Sequence, residues 1–254
     1  MKSISYIIVT HNSQVHFPSV IDNLKLYTKL PYEIIVVDND SKCTSYIKNI
    51  DKIIKNKENL MFTPATNQGL AAASPESDYL ILINPDVRIG PNSIEKLIND
   101  TETLDAGIAG AILCYPDLKV QHGGGEGYGK KSTADILELT GNAHLNYSKQ
   151  LHEITQQYPL NCQWITGAVF LITRKTLIKI GPLDEKYTHY KSDLEYCLRA
   201  HDNNIKIICS SAVCLHFHKK STPRKQMIQR LLSRIRFKLE EKRFFKALGK
   251  LEKK

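Results

Sequence analysis

The feature that most restricts how this chain can fold is the alternation, in its first half, of short apolar runs with amphipathic segments. Four apolar runs have the length of buried strands: residues 5–10 and 33–37, which are rich in β-branched residues, and residues 79–83 and 108–114. Apolar residues spaced three and four apart predict helices over 18–30 and 92–104, the second capped by Asn92 or Ser93. The run 51–56 is too mixed to assign. This β-α-β order predicts an α/β fold whose sheet is mostly parallel and flanked by helices.

The second half of the chain is less regular. Residues 164–173 and 205–216 have the apolar character of strands, and residues 192–203 have helical spacing. Before them, residues 115–160 are mostly polar with weak periodicity, and they include the glycine-rich run 122–129. That run is not followed by Gly-Lys-Ser or Gly-Lys-Thr, so we expect a mobile loop there rather than a phosphate-binding loop.

Polar side chains follow three of the predicted strands at the point where each strand ends. They are Thr10, His11 and Asn12, then Asp38 and Asn39, then Asn84, Pro85 and Asp86. Each group alone is typical of a turn, because Asn, Asp and Pro favour turns for local reasons. Three such groups at the carboxyl edge of a parallel sheet, where ligands bind in these folds, indicate a binding site.

Eight runs of residues carry a resemblance to a known family. In chain order they are 7–13 (IIVTHNS), 33–39 (EIIVVDN), 58–60 (ENL) with 67–69 (NQG), 82–87 (LINPDV), 164–168 (WITGA), 181–185 (GPLDE), 190–199 (YKSDLEYCLR) and His216. In this order and spacing, residues 4–218 resemble the inverting glycosyltransferases of family 2, which have the GT-A fold. Within that family they resemble the rhamnosyltransferase-like branch of O-antigen and polysaccharide biosynthesis.

The resemblance implies a site for a nucleotide diphosphate sugar, the donor substrate. The residues it assigns to the nucleotide are Thr10, Asn12, Asp38, Asn39, Asn67 and Asn84, with Asp38 on the pyrimidine ring. Residues 84–86 stand where the family has Asp-x-Asp, so Asp86 is the expected ligand of a divalent cation, Mg²⁺ or Mn²⁺, and Asn84 an outer partner. His216 matches a histidine that reaches the metal or the diphosphate in relatives. Such an ion neutralises charge on the leaving diphosphate.

The resemblance also implies a catalytic base. Asp193 matches the aspartate of the family's Glu-Asp motif and would take the proton of the acceptor hydroxyl, although Ser192 stands where the family has the glutamate. Asp193 is also suited to capping the helix 192–203, which is compatible with catalysis. Trp164 and Gly167 correspond to the acceptor side of the site, and a core position is the alternative for Trp164.

The positive charge of the chain is concentrated at its C-terminal end. Residues 219–254 hold 14 of the 35 basic and 3 of the 26 acidic residues, a net charge of +11, against −2 for the rest. Apolar residues recur there every three or four positions, which predicts a basic amphipathic helical tail after a GT-A domain over 1–218. Such a helix suits an anionic membrane surface, while packing on the body and forming a homodimer are alternatives. No nucleic-acid-binding pattern accompanies the charge, so we expect no nucleic-acid partner.

The resemblance implies an enzyme, a metal-dependent inverting hexosyltransferase. Similarity to the rhamnosyltransferase-like branch makes dTDP-L-rhamnose the first-choice donor, with a UDP-hexose or UDP-N-acetylhexosamine as the alternative. The acceptor is expected to be a glycan, carried on a polyprenyl diphosphate during assembly of a bacterial surface polysaccharide. A nucleotidyltransferase fits less well, because such an enzyme needs a glycine-rich basic loop directly after the first strand, and residues 10–13 (THNS) are not such a loop. A non-catalytic nucleotide-sugar binding module is the third class.

The expected location follows from three features of the sequence. No apolar run reaches the length of a membrane span, and the first residues resemble a strand rather than an export signal. Six cysteines without a Cys-x-x-Cys pair are typical of free thiols in a reducing compartment. We therefore expect a cytoplasmic protein that is peripheral at the inner face of the cell membrane through its basic tail.

Overall fold

The computed structural model describes residues 2–126, 143–188 and 191–217. The strands, in chain order, are β1 Ile4–Thr10, β2 Tyr32–Asn39, β3 Lys52–Asn56, β4 Tyr79–Ile83, β5 Val87–Ile89, β6 Ile108–Cys114, β7 Val120–His122, β8 Gly125–Glu126, β9 Ala143–His144, β10 Leu160–Asn161, β11 Val169–Thr173 and β12 Ile207–His216. The helices are α1 Phe17–Tyr27, α2 Phe62–Ala72, α3 Ser93–Thr103, α4 Arg174–Ile180 and α5 Ser192–Asp202. None of these helices in the described part of the chain combines the length and apolarity needed to cross a bilayer. The predicted basic tail over 219–254 lies outside the described residues.

Ten of the strands form one sheet, in the order β10-β12-β6-β11-β4-β1-β2-β3, with β5 paired to β12 and β7 paired to β6. The strands β3, β2, β1 and β4 are parallel, and β6 and β12 are parallel to each other. Because β11 lies antiparallel between β4 and β6, those two strands run in the same direction. The sheet is mixed and mostly parallel, which confirms the predicted α/β fold. The carboxyl ends of β1, β2, β4, β6 and β12 meet at one edge.

Helices cover both faces of the sheet, because alternate residues of a strand point to opposite sides. In β1, Tyr6 and Ile8 pack with side chains of α1 and α3, whereas Ile7 packs on the other face with side chains of α2 and α5. The apolar stripe of α1 consists of Phe17, Val20, Ile21 and Leu24. Each fully buried side chain of this kind contributes about 1.5–3 kcal/mol to stability. Because helices bury both faces of the sheet, a ligand can reach it only at the loops that follow the carboxyl ends of the strands.

A bulge interrupts β12 before its last residues. The register against β6 shifts after Cys209. The Asp100 carboxylate of α3 accepts a hydrogen bond from Ser210 Oγ at 2.6 Å, and two more from the N–H and hydroxyl of Ser211 at 2.8 Å. The Ser211 N–H is a backbone donor that the bulge removes from the ladder, and Asp100 satisfies it, so α3 holds the bulge in place. His216 lies at the carboxyl end of the strand that is held in this way.

Several elements differ from the sequence prediction for local reasons. The helix α2 was not predicted because Thr, Pro, Asn, Gln and Gly interrupt its apolar spacing. The unassigned run 51–56 contains β3, an edge strand whose exposed polar residues hide the alternation. The expected strand 164–173 begins only at Val169, and the helix expected over 18–30 ends at Tyr27, because the chain is already extended at Thr28. The short elements β5, β7, β8, β9, β10 and α4 were also not predicted.

The expected cap of α3 is wrong. Asn92 precedes the helix in the left-handed region at φ 59°, and its side chain makes no capping hydrogen bond. The Ser93 hydroxyl accepts the N–H of Gly90 at 3.2 Å and donates to the carbonyl of Val213 at 3.1 Å. The serine therefore links α3 to the β12 bulge instead of capping its own helix.

The described part of the glycine-rich run is packed rather than mobile, which corrects the expectation of a loop. Gly123 and Gly124 are buried, and the Gly125 N–H donates to the Trp164 carbonyl at 2.8 Å. A Cβ atom on Gly125 would lie 1.9 Å from the Trp164 indole, so only glycine fits there. These glycines allow close packing. Residues 127–129 lie outside the described part of the chain.

Candidate functional site

A cleft opens at the edge where the carboxyl ends of the parallel strands meet. Its volume is about 410 Å³, within the range of small-molecule sites. It is lined by residues at the ends of β1, β2 and β4 and by the segment that enters α2: Val9, His11, Asn12, Ser13, Val15, His16, Asn39, Asn59, Met61, Phe62, Asn84, Pro85 and Asp86. The polar groups that follow three predicted strands therefore contribute to one site, as the strand order predicts.

Asp86, after β4, lies against His216 at the end of β12. Asp86 Oδ1 is 3.3 Å from His216 Nε2, and the Asp86 carbonyl accepts the N–H of Phe217. Burial alone would raise the pKa of Asp86, but the hydrogen bond from His216 and the nearby imidazoles of His216 and His16 hold that pKa below its ordinary value. The Asp86 carboxylate is therefore charged at neutral pH.

Asp86 and His216 have the chemistry of an incomplete divalent-cation site. His216 Nδ1 lies 2.5 Å from Gln121 Oε1, which only accepts, so Nδ1 carries a proton and Nε2 is the nitrogen that faces Asp86 Oδ1. A cation bound there takes the place of the proton between Nε2 and Oδ1. No three His, Cys, Asp or Glu side chains in the described ranges cluster as a complete metal site. Mg²⁺ and similar ions commonly use one or two protein ligands and take the rest from substrate phosphates and water. The pair therefore fits a cation that is bound together with a diphosphate.

Asp193 lies in the first turn of α5. Its Oδ2 accepts the N–H of Gly167 at 2.8 Å, and its Oδ1 accepts the N–H of Leu194 at 2.9 Å. A methyl group on Gly167 would lie 3.6 Å from the ring of Phe62, a lining residue of the cleft, and 3.7 Å from Asp193 Oδ2. Asp193 therefore borders the cleft. Burial raises the pKa of Asp193, and the hydrogen bonds to its carboxylate offset this only in part.

Three of the six residues assigned to the nucleotide line the cleft: Asn12, Asn39 and Asn84. Asn12 follows β1 at φ 54°, and its Oδ1 accepts the N–H of Lys42 at 3.0 Å. The Asn39 amide donates to Asn59 Oδ1 at 2.8 Å and to the Met61 carbonyl at 3.0 Å. Asn39 therefore shapes the segment that enters α2, and Asn12 fixes the loop after β2.

Thr10 and Asp38 are direct neighbours across β1 and β2 but are not among the residues that line the cleft. Thr10 Oγ1 hydrogen-bonds the Tyr46 hydroxyl at 3.1 Å. Asp38 is 3% exposed, and its Oδ1 has no hydrogen-bond partner among the described residues. A buried oxygen without a donor is costly, and the ring N–H of a pyrimidine is the kind of donor that would satisfy it.

Asn67 also lies away from the lining residues. Its Nδ2 donates to the Leu183 carbonyl and to Glu185 Oε1, both at 2.9 Å, and its Oδ1 accepts the N–H of Leu183 at 3.0 Å. The side chain thus ties α2 to the segment that precedes α5. Its placement connects the two halves of the site without contributing to the surface of the cleft.

Trp164 is 4% exposed and packs on two histidines, with ring centroids 4.9 Å from His122 and 5.0 Å from His144. It lies behind the surface in the segment that leads to Gly167 and the Asp193 carboxylate. The structure therefore places Asp86 in contact with His216, and Gly167 in contact with Asp193. Trp164 is a buried packing residue next to Gly167 and Asp193.

Sequence reasoning assigned no role to several residues of the site. The cleft is also lined by His16, Asn59, Met61 and Phe62, Gln121 contacts His216, and His122 and His144 pack on Trp164. Most of them lie in or next to α2 and β7, the elements whose polar composition gave no periodic signal. For His122 the sequence offered one signal, its position directly before the glycine run 123–125. In the structure Gly125 of that run packs on Trp164.

Comparisons with known proteins identify a family and several relatives. Residues 5–175, more than half of the chain, match the family model described as Glycosyl transferase family 2. The O-antigen biosynthesis protein RfbC of Myxococcus xanthus is 21% identical over 224 residues, which cover 83% of this chain and 17% of that protein. N-acetylglucosaminyl-diphospho-decaprenol L-rhamnosyltransferase of Mycobacterium tuberculosis is 24% identical over 246 residues, which cover 85% of this chain and 76% of that protein. This chain thus spans only a small part of RfbC.

Solved structures share the fold. The crystal structure of GalNAc-T7 with UDP, GalNAc and Mn²⁺ aligns with a TM-score of 0.63 at 14% identity, covering 85% of this chain and 44% of that one. The crystal structure of Staphylococcus aureus TarS 1–349 aligns with a TM-score of 0.51 at 15% identity, covering 86% of this chain and 59% of that one. At such low identities the likeness shows the fold alone.

Proposed function

The chain belongs to glycosyl transferase family 2, and on that premise we propose that it moves a sugar from a nucleotide diphosphate donor to a glycan hydroxyl with inversion. The observation that carries the proposal is a pair of carboxylates at one edge of the sheet whose pKa values are shifted in opposite directions. Asp86 is held charged beside His216, and Asp193 has a raised pKa at the border of the cleft. The first suits a cation and a charged leaving group, and the second suits proton removal.

In the proposed inverting transfer, Asp193 acts as the general base. The acceptor oxygen forms a bond to the anomeric carbon as the bond from that carbon to the diphosphate oxygen breaks. Asp193 takes the proton of the acceptor hydroxyl, and the electron pair of the broken bond leaves with the nucleotide diphosphate. The N–H groups of Gly167 and Leu194 keep both oxygens of the carboxylate oriented before the reaction.

Asp86 and His216 would hold a divalent cation, Mg²⁺ or Mn²⁺, with Asn84 as an outer partner. When bound, such an ion neutralises charge that develops on the diphosphate. Gln121 accepts a hydrogen bond from His216 Nδ1 and so orients the imidazole. Such a bond matters because a histidine that ligates a metal is held in place by the partner of its other ring nitrogen.

The family resemblance assigns Asp38 to a pyrimidine ring, and its buried Oδ1 can accept a ring N–H. The proposed donor is dTDP-L-rhamnose, with a UDP-hexose or UDP-N-acetylhexosamine as the alternative. The name of the mycobacterial relative describes L-rhamnosyl transfer to an N-acetylglucosaminyl diphosphate lipid, which supports a polyprenyl-linked glycan as acceptor. Such an acceptor lies at the membrane surface, where the predicted basic helix over 219–254 would bind. That location and the division at residue 218 stay predictions.

A pyrimidine nucleotide should raise the melting temperature of the protein in a cation-dependent way. A ligand at about a hundred times its Kd adds roughly 2.7 kcal/mol of stability. Thermal unfolding is measured with dTDP, UDP and GDP, each with Mg²⁺, with Mn²⁺ and with a chelator, and then with the nucleotide sugars. We expect dTDP to stabilise most, dTDP-L-rhamnose to add to that, and GDP to serve as the control. A larger shift with UDP would favour the alternative donor, and no shift with any nucleotide would contradict the proposed function.

The pH dependence of transfer should show the raised pKa of Asp193. The base must be unprotonated, and burial raises its pKa, so kcat/KM should fall with decreasing pH at a value above about 3.9, the ordinary aspartate pKa. The rate is measured across the range in which circular dichroism shows the protein folded. A rate that stays constant down to about the ordinary aspartate pKa of 3.9 would show that the base is another group.

A further inference from the structure

Next to Asp193 lies a group of aromatic residues that the proposed reaction does not yet use. The residues His122, His144 and Tyr147, which we call the aromatic cluster, pack against Trp164. Ring centroids are 5.0 Å apart for His122 and His144, 5.0 Å for His144 and Trp164, and 6.2 Å for His144 and Tyr147. His122 is buried, whereas His144 is exposed and Tyr147 is 56% exposed. The cluster thus has a buried half and a half that faces solvent.

Hydrogen bonds fix which nitrogen of each imidazole carries the proton. The Thr166 N–H donates to His122 Nε2 at 3.3 Å, so the proton of neutral His122 lies on Nδ1. His122 Nδ1 is 2.8 Å from His144 Nδ1, which must therefore accept. Neutral His144 then carries its proton on Nε2. Among the described residues this Nε2–H has no partner, and it is available to a ligand.

Electrostatics keep both rings neutral. Burial, together with the nearby imidazoles of His144 and His216, lowers the pKa of His122 to about 3. Burial also lowers the pKa of His144, although the charge of Asp193 raises it in part. Two imidazoles that meet through Nδ1 at 2.8 Å share one proton between those nitrogens. His144 therefore offers a neutral hydrogen-bond donor rather than a positive charge.

The cluster is continuous with the proposed base. The consecutive residues Thr166 and Gly167 donate their N–H groups to His122 and to Asp193 respectively. Trp164, which packs on His144, precedes these two residues in the chain, so the aromatic cluster and the Asp193 carboxylate flank the same segment 164–167. The charge of Asp193 also raises the pKa of His144 in part. A group bound by His144 therefore lies close to the carboxylate that would receive the acceptor proton.

We propose that His144 and Tyr147 form the subsite for the acceptor sugar. His144 Nε2–H donates to a hydroxyl group of the sugar, and the exposed ring of Tyr147 packs on the apolar face of the sugar ring. This combination of an aromatic surface with a few placed donors is typical of small-molecule sites. The inference rests on the proposed function and names the residues that select its acceptor.

Binding of an acceptor analogue to the full chain tests the subsite. The probe is a short-chain polyprenyl diphosphate carrying N-acetylglucosamine, titrated with saturating dTDP and Mg²⁺. Trp164 is the only tryptophan of the chain and packs on His144, so its fluorescence reports occupancy. His144→Ala and Tyr147→Ala should each weaken probe binding about three- to tenfold, the loss expected for one neutral contact.

Matched variants separate the contacts from general damage. His144→Gln keeps an N–H donor and should recover part of the affinity, and Tyr147→Phe keeps the ring and should bind as the unchanged protein does. His152→Ala removes an exposed histidine from the same segment and should have no effect. The stabilisation by dTDP should be the same in all five variants.

Each remaining outcome contradicts a defined part of the inference. Unchanged probe affinity in His144→Ala and Tyr147→Ala overturns the subsite, as does loss of the dTDP effect in the same variants, which would indicate a structural role. If the unchanged protein responds to dTDP but not to the probe, the acceptor subsite is wrong and the donor site stands. If it responds to neither, the proposed function itself fails.

Discussion

Replacing Asp193 by asparagine should lower kcat about 10²–10⁴-fold, the range associated with loss of a general base. The amide cannot take the acceptor proton, but it has nearly the shape of the carboxylate and retains one oxygen for the N–H of Gly167 or Leu194. We therefore expect Asp193→Asn to fold and to bind the donor nucleotide. Initial rates at saturating donor and acceptor measure the loss, and the nucleotide-induced thermal shift measures donor binding.

Two variants on the same helix serve as controls for Asp193→Asn. Asp202→Asn changes an exposed carboxylate at the far end of α5 and should leave the rate unchanged. Glu195→Gln changes the other acid of the first turn, whose carboxylate is bound by Arg199 at 2.9 and 3.0 Å, and should have a small effect. Turnover near the original rate in Asp193→Asn, or an equal loss in Glu195→Gln, would show that the base is assigned to the wrong residue.

Replacing Asp86 by asparagine should weaken cation-dependent nucleotide binding by roughly 10²-fold or more, since changes even to the outer partners of metal ligands cost about 10–100-fold. The substitution removes the charge that lies 3.3 Å from His216 Nε2 but keeps the carbonyl that accepts the N–H of Phe217. Calorimetric titration with dTDP, with and without Mg²⁺ or Mn²⁺, measures the effect.

Asp117→Asn is the matched control, because it removes the same charge from an exposed carboxylate in the turn before β7. It should titrate as the unchanged protein does. Equal nucleotide affinity in Asp86→Asn and Asp117→Asn, with the same response to cation, would mean that Asp86 does not hold the ion.

The buried strands could be predicted from the sequence because their side chains are apolar on both faces. The runs that became β1, β2, β4 and β6 are rich in Ile, Val, Leu and Ala, and the structure places each within one or two residues of the expected bounds. The edge strand β3 was not predicted, because its exposed polar residues interrupt the apolar alternation. The helix α2 was not predicted, because its polar residues interrupt the apolar spacing of a helix. Burial on both faces therefore decided which elements the sequence revealed.

Part of the site followed from strand order, and part depends on contacts that no local pattern encodes. Residues 84–86 follow β4 and His216 ends β12, both strands of the parallel set, so their meeting at one edge is a consequence of topology. Other contacts depend on β7, a three-residue strand in a stretch without periodicity. From this strand Gln121 contacts His216, and His122 contacts His144. The polar contacts of Asn39 and Asn67 likewise arise from tertiary packing, which sequence spacing does not specify.

Transfer of a sugar by the purified full chain tests the central claim most directly. The protein is incubated with Mg²⁺, the N-acetylglucosamine lipid and, separately, dTDP-L-rhamnose, UDP-glucose, UDP-galactose and UDP-N-acetylglucosamine. Mass spectrometry detects the product, and NMR determines its anomeric configuration. We expect a product from dTDP-L-rhamnose with the configuration opposite to that of the donor, lost on chelation and in Asp193→Asn. A product of retained configuration, or no product from any donor with a folded protein, would contradict inverting transfer by this chain.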